Sequence, residues 1–220
     1  MSDDQSRFNG SSTERYYRRV KKVLTTAALE SVSQLRLDFD PSFERLAIHH
    51  IHIIRDGRTI DALKPKEVKL IQEETELDQQ LFNGTQSAVV FLNDVRAGDV
   101  IDYAYTVTGD NPILGGRYAD GFYLTEGEPV ERIRRRLLWP AGRTLHYRSV
   151  NIDAEPVIRT AGNQTEYTWE RLNVPAMQFE DSTPDWFNPY PAVYLSEFAT
   201  WGEVVEWARP LYDVRGPLDP

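Results

Sequence analysis

The strongest fold signal in the sequence is residues 46–63, which read LAIHHIHIIRDGRTIDAL. An Asp56-Gly57 pair separates two runs that are rich in isoleucine and other β-forming residues. Such a pair is the strongest short-range signal for a β-hairpin, because both residues of its two-residue turn need a positive φ that Asp and Gly tolerate. The stretch therefore predicts two antiparallel strands joined at residues 56–57.

Other β-rich runs follow on both sides of this hairpin. We expect them at residues 14–25, 31–39, 67–72, 87–92, 100–108, 129–139, 145–152, 157–160 and 166–172. Short strands at this spacing, with turn-forming residues between them, are typical of a sandwich or a barrel. We expect residues 73–82 to form a helical turn. The sequence thus predicts a mainly β fold, an antiparallel β-sandwich.

A short helix is expected near the end of the sequence. Thr200 and Glu203 have the spacing of a capping box, and apolar residues at helical spacing continue to residue 212. Val204, Val205, Trp207 and Leu211 are predicted to form an apolar face for a partner domain, because so short a helix is marginal alone.

Composition excludes several classes of function. The net charge of −9 repels phosphate backbones, so we expect no nucleic-acid partner. No run approaches the roughly 18 apolar residues of a membrane-spanning helix. Cysteine is absent, which excludes a cysteine nucleophile, a thiolate metal site and a disulfide within these residues.

No catalytic or metal-binding set stands out. A Gly-x-Ser-x-Gly elbow does not occur, and the glycines of residues 109–121 match neither a Walker loop nor a dinucleotide fingerprint. His49, His50 and His52 are the nearest approach to a metal cluster, since His50 and His52 should share one strand face, but a third ligand is not identifiable, so we predict no metal and no cofactor. The arginines of residues 132–136 are interpreted as a solvated strand face rather than an anion site.

Aromatic residues beside two irregular segments are the candidate binding residues. Arg117 and Tyr118 follow the glycine-rich loop, and Trp186 and Tyr190 lie in a proline-rich connector. Rigid aromatic rings beside an arginine can stack on and hydrogen-bond a peptide or a glycan. The alternative is that they only anchor these segments to the core.

The order of several motifs resembles a known bacterial family, the domain of unknown function 3857. They are IRDG (54–57), LNDVRAGDVIDYAY (92–105) and NPILGGRYADGF (111–122), and the resemblance covers about residues 16–198. It implies a β-sandwich without a known activity of its own. In that family the domain precedes a transglutaminase-like domain of the papain-type fold, with its cysteine, histidine and aspartate. A periplasmic or cell-envelope location is also implied.

The resemblance sets the expected domain organisation and function. We expect an N-terminal tail at 1–15, the β-sandwich at 16–198, and a connector helix at 199–220 that leads to a transglutaminase-like domain absent from this chain. The predicted function is non-catalytic: the module packs against that domain or presents substrate to it. A free-standing peptide- or glycan-binding module is the alternative, and an independent hydrolase is disfavoured because no nucleophile–base pair is found.

Overall fold

The computed structural model describes residues 1–72, 84–177 and 187–212. An eight-stranded sheet forms one layer of the molecule. In spatial order its strands are β12 (Val157–Ala161), β13 (Gln164–Val174), β10 (Val130–Pro140), β1 (Ser2–Phe8), β2 (Thr13–Lys22), β8 (Val100–Thr108), β4 (Arg45–Arg55) and β5 (Arg58–Asp61). Neighbouring strands are antiparallel except β1 and β10, which are parallel.

Two three-stranded antiparallel sheets form the second layer. Sheet one has the order β11 (His146–Val150), β14 (Ala192–Ser196), β9 (Ala119–Tyr123). Sheet two has the order β3 (Gln34–Phe39), β7 (Gln86–Phe91), β6 (Lys69–Gln72). The prediction of a mainly β sandwich is confirmed.

Each small sheet packs over a different part of the large sheet and encloses its own hydrophobic core. The core under sheet one includes Phe8, Leu137, Trp139, Trp169, Val193 and Leu195. The core under sheet two consists of Val23, Leu35, Ile51, Val90, Leu92 and Ile101. On the large sheet, the first core lies on β1, β10 and β13, and the second lies on β8 and β4. The strand β2, which lies between β1 and β8 in the sheet, therefore runs between the two cores.

The predicted hairpin is confirmed. Arg55 pairs with Arg58, and the two turn residues Asp56 and Gly57 have φ values of 50° and 75°. Positive φ at both positions is the geometry of a type I′ turn, whose twist matches that of the flanking strands.

The structure differs from the sequence-based expectation at the N-terminus. Residues 1–15 were expected to be a tail, yet β1 lies within the large sheet between β2 and β10. Its sequence, SDDQSRF, lacks an apolar alternation because its central side chains face arginines instead of a core. Asp3 lies across from Arg134, and Asp4 lies across from Arg135. Ladder hydrogen bonds and ion pairs form this strand, and a hydrophobic pattern cannot detect them.

The C-terminal helix is confirmed as α2 (Trp201–Ala208), followed by a 3-10 turn at Arg209–Tyr212. Thr200 Oγ1 accepts from the Glu203 amide at 3.3 Å, and Glu203 Oε2 accepts from the Ala199 amide at 3.1 Å. Within the described residues, the remaining helical elements are α1 (Leu29–Val32) and 3-10 turns at Thr26–Ala28, Pro65–Glu67 and Pro112–Leu114. The helical turn predicted at 73–82 lies outside the described residues. No described helix is long and apolar enough to cross a membrane.

Candidate functional site

The structure describes three of the four residues that the sequence suggests for binding, and it does not bring these three together in one site. Tyr118 is buried with 2% exposure, packs on Phe8 and Trp139, and its hydroxyl donates to Asp120 Oδ2 at 3.0 Å. It is therefore a core residue and offers no accessible ring. Arg117 is partly exposed, with its guanidinium 4.7 Å from the centre of the Phe198 ring.

Tyr190 lies at the opposite end of β9 from Arg117. Its ring meets the edge of Tyr123 with centroids 5.7 Å apart. Six residues of extended chain, about 20 Å, separate Arg117 from Tyr123, so Arg117 and Tyr190 do not form one site. Trp186 lies outside the described residues.

Tyr190 instead belongs to an aromatic patch on the outer face of sheet one, formed by Tyr123, Asn188, Tyr190 and Tyr194. The Asn188 amide nitrogen donates to the hydroxyls of Tyr194 at 3.0 Å and Tyr123 at 3.5 Å, and its Oδ1 accepts from the Tyr190 amide at 3.0 Å. Tyr123 and Tyr194 are exposed. One amide side chain thus holds two exposed rings in fixed positions, which is a rigid platform for stacking.

Gly121 makes room for this arrangement. A Cβ atom at this position would lie 2.9 Å from Cδ1 of Tyr194, closer than such atoms approach. The Tyr194 ring therefore lies across the glycine backbone of β9.

A second candidate site lies between the two small sheets. Asp120 of β9 is 3.8 Å from Arg15 of β2, whereas Tyr147 of β11 packs against Tyr167 and Trp169 of β13. Within sheet one, β9 is therefore the strand nearest the middle of the large sheet. We call the half-buried inner surface of β2 and β8 beside β9, formed by Arg15, Tyr17, Arg19, Tyr103 and Tyr105, the central groove.

Three tyrosines line this groove. Tyr17 stacks on Tyr105 with centroids 4.9 Å apart, and Tyr103 and Tyr105 are nearly parallel at 6.5 Å. Burial raises the pKa of Tyr17 to about 12 and raises the pKa values of Tyr103 and Tyr105 as well. All three phenols are therefore neutral at ordinary pH, and the described residues provide no hydrogen bond to their hydroxyls.

Arginine–carboxylate pairs border the tyrosines. Arg15 donates to Asp110 Oδ1 at 2.6 Å and to the Gly109 carbonyl at 2.7 Å. Arg19 is paired with both oxygens of Asp4. Because these cations are already paired, the groove has no free basic group to bind a phosphate.

A cavity of about 90 Å³ opens beside the groove, lined by residues that include Asp4, Tyr17, Asp120 and Arg135. Arg135 is 5% exposed and lies 3.3 Å from Asp4 Oδ2 and 3.4 Å from Glu126 Oε1. Its Nε is buried, and no acceptor for it is found among the described residues. A buried donor without an acceptor is rare and costly, so this atom is a local cost of burying Arg135.

This buried position corrects part of the prediction for the arginine cluster. Arg132 and Arg136 pair with Glu170 and Glu166 on the outer face, as expected of a solvated strand. Arg135 lies on the inner face, where the alternation of β10 turns it toward Asp4.

Three of the four histidines, His49, His50 and His52, lie on the outer face of the large sheet. The rings of His50 and His52 stack with centroids 4.7 Å apart, which confirms that they share a face. A bulge between Ile48 and His50 brings His49 to the same face, where its Nε2 is 2.7 Å from Thr106 Oγ1. The bulge interrupts the alternation of faces along β4. His50 Nε2 is 3.2 Å from Asp102 Oδ1. Among the described residues, no group of three or more His, Cys, Asp or Glu side chains could hold a metal ion.

The apolar surface of α2 also differs in part from the prediction. Trp207 packs against Phe198 with ring centroids 5.7 Å apart, and its indole N–H donates to the Ile113 carbonyl at 2.9 Å. Trp207 thus anchors the helix to its own domain. Of the predicted residues, Val205 on α2 and Leu211 in the following 3-10 turn are exposed, at 56% and 51%. Trp201, one helical turn before Val205, and Tyr212, beside Leu211, are each 82% exposed and extend this apolar stripe.

The central groove was missed from the sequence although a signal for it exists. Tyr103 and Tyr105 alternate along β8, and Tyr17 occupies the matching face of β2. This alternation predicts a shared face, but whether that face lies beneath a second sheet or beside its edge depends on packing between distant segments.

Comparisons with known proteins agree with the fold. The profile of the family described as a Domain of Unknown Function with solved structure (DUF3857) matches residues 9–178. Among solved structures, the chain is similar to a candidate protease from Parabacteroides distasonis, with 18% sequence identity and a TM-score of 0.77. No curated protein matches the sequence.

The structural match covers 98% of this chain but only 46% of the Parabacteroides protein. This chain thus spans about half the length of that protein. At such low identity the likeness shows a shared fold.

Proposed function

Because the chain belongs to the DUF3857 family, we propose that it is a non-catalytic β-sandwich module that packs against, or presents substrate to, a transglutaminase-like domain of papain-type fold. The observation that carries this proposal is the exposed apolar stripe on α2 and the 3-10 turn after it, formed by Trp201, Val205, Leu211 and Tyr212. Interfaces concentrate their binding energy in a few buried residues, with tryptophan and tyrosine enriched among them.

The position of the helix supports the proposal. Trp207 fixes α2 to the sandwich through its bond to the Ile113 carbonyl and its contact with Phe198, so the stripe is a rigid extension of this domain. A partner that buries the stripe would be held in one orientation, which suits a module that positions another domain.

The chemistry of the chain supports a non-catalytic role. It has no cysteine, so a papain-type nucleophile would have to come from another domain. The similar Parabacteroides structure, described as a candidate protease, has more than twice the length that this chain matches. This is consistent with a non-catalytic module in a longer protein.

Titration calorimetry tests the docking surface directly. The chain is titrated with the separately purified transglutaminase-like domain encoded downstream in the same gene. Val205→Asp should weaken binding at least tenfold, because it places a charge in the apolar contact. Leu172→Asp is the matched control, since Leu172 is an exposed apolar residue on β13. Equal binding by both variants, or a gene without such a domain, would contradict the proposal.

The aromatic patch favours a second function, a free-standing module that binds a peptide or a glycan. Tyr123 and Tyr194 present exposed rings whose positions are fixed by Asn188. Tyr194→Ala should abolish retention of the chain on a glycan or peptide array, while Tyr212→Ala, which removes an exposed ring in the 3-10 turn after α2, should not. Retention that is equal for both variants would remove the patch as a binding site.

A further inference from the structure

We propose that the free edge of β9, together with the central groove, binds an extended peptide that adds to sheet one as a fourth strand. The proposal does not depend on docking to a downstream domain. It rests on the backbone of β9 and on what lies beneath its edge.

The backbone of β9 presents unpaired groups along one side. The Leu124 amide donates to Pro191 and the Tyr118 carbonyl accepts from Glu197, so even-numbered residues face β14. Strand geometry then directs the amides and carbonyls of Ala119, Gly121 and Tyr123 to the opposite side. The Gly121 amide bonds to the neighbouring Asp120 carboxylate, and the described residues provide no partner for the amides of Ala119 and Tyr123.

Of the usual protections against strand addition, this edge has only an inward-facing charge, Asp120, and Arg15 lies 3.8 Å from that charge. Exposed edges normally carry lysine, proline or a bulge. The sequence of β9, ADGFY, has none of these residues, and its one charged side chain, Asp120, faces inward toward Arg15. By contrast, β6 and β5 carry Lys69 and Arg58.

The edge faces the central groove. Because β9 lies over β1 and β2, a strand added at about 4.8 Å from it would lie above the Tyr17–Tyr105 pair. Alternate side chains of that strand would point down to the tyrosine rings, and the others would point outward beside Tyr123. Strand addition commonly combines these elements, since main-chain bonds supply affinity and pockets for alternate side chains supply specificity.

The chemistry of the groove defines the peptide further. The tyrosine hydroxyls of the groove are neutral at ordinary pH and can donate or accept a hydrogen bond. The arginines of the groove are already paired with carboxylates. We therefore expect the inward side chain to be uncharged and to carry an acceptor oxygen, as Ser, Thr, Asn and Gln do.

Selection from a displayed library of random twelve-residue peptides on the immobilised full chain provides the probes. Each selected peptide is then resynthesised with single N-methyl groups, which remove one backbone donor at a time. In an added strand only every second amide bonds to β9, so affinity should fall about tenfold or more at alternate positions. The proposal would be overturned if the selection yielded no binders, or if the loss of affinity on N-methylation did not alternate from one peptide position to the next.

A variant of the edge locates the binding. Ala119→Pro removes one outward amide at the first residue of an edge strand, a position that tolerates proline. It should weaken binding of the selected peptides at least tenfold while the thermal melting temperature stays close to that of the parent. Val157→Pro, at the first residue of edge strand β12, should leave peptide affinity unchanged. Equal affinity for both variants would exclude β9 as the site.

Discussion

Arg135 illustrates how one buried charge is stabilised in this sandwich. Burial lowers the pKa of its guanidinium, and contacts with Asp4, Glu126 and the Ser2 hydroxyl compensate. We expect Arg135→Met to reduce the free energy of unfolding by about 3 kcal/mol, because it breaks a buried ion pair at one partner. Urea denaturation measures this loss.

The control for this prediction is on the same strand. Arg132 is about half exposed and pairs with the similarly exposed Glu170. Arg132→Met should therefore cost about 0.5 kcal/mol, since exposed pairs contribute little. If Arg135→Met lost no more unfolding free energy than Arg132→Met, the buried ion pairs of Arg135 would not stabilise the fold.

The raised pKa of Tyr17 makes the free energy of unfolding depend on pH in the alkaline range. Its pKa rises from 10.0 to about 12 on folding, because burial disfavours the phenolate. The folded state thus holds this proton more tightly than the unfolded state does. The resulting stability is complete below pH 10 and is lost as the pH rises from about 10 through about 12.

Urea denaturation between pH 9 and pH 12 tests this dependence. The Tyr17→Phe variant lacks the titrating group, so its unfolding free energy should decline less over this range, by up to about 2 kcal/mol. Identical pH profiles for the parent and the variant would contradict the prediction.

At the scale of elements, β1 is a structural strand within the large sheet. Phe8, at its end, is 2% exposed and stacks on Trp139 with centroids 5.0 Å apart. We expect Phe8→Ala to reduce the free energy of unfolding by about 3–4 kcal/mol, the usual cost of a large cavity in a core. Thermal or urea denaturation provides the measurement.

Phe91→Ala is the matched control for Phe8. Phe91 lies at the end of β7 and is 48% exposed, so its removal should cost about 1 kcal/mol or less. If Phe8→Ala were as mild as the control, residues 1–15 would behave as the tail that the sequence alone predicts.

At the scale of the molecule, the described residues do not assemble a metal centre. His50 and His52 stack beside Asp102, but Asp102 already accepts two bonds from Arg18 at 2.7 and 2.9 Å. That pairing also holds the pKa of Asp102 below its ordinary value. We expect EDTA to change the melting temperature by less than about 1 °C. A loss of several degrees that zinc restores would contradict this expectation.

The architecture also explains where binding surfaces can occur. Two small sheets cover separate cores on one face of a wider sheet, and the tyrosine-lined strip beside β9 lies between those cores. A single wide second sheet would have buried this strip under apolar side chains. The division of the second layer therefore creates the central groove and the edge of β9 beside it.

The sequence by itself determined the local structure of this protein. The Asp56-Gly57 turn, the alternating strands and the Thr200 cap depend on residues within a few positions of each other, so their patterns predict them directly. The family resemblance likewise came from short ordered motifs, and the profile match over residues 9–178 confirms the family.

Only the tertiary structure decided which of these elements meet. The strand β1 has no hydrophobic pattern, and β14, which was not predicted, joins β9 and β11 across long separations in the sequence. Tyr118 and Arg135 resemble surface residues in the sequence but are buried by elements distant along the chain. The physical reason is that register and burial are set by contacts between distant segments, and a local pattern carries no information about them.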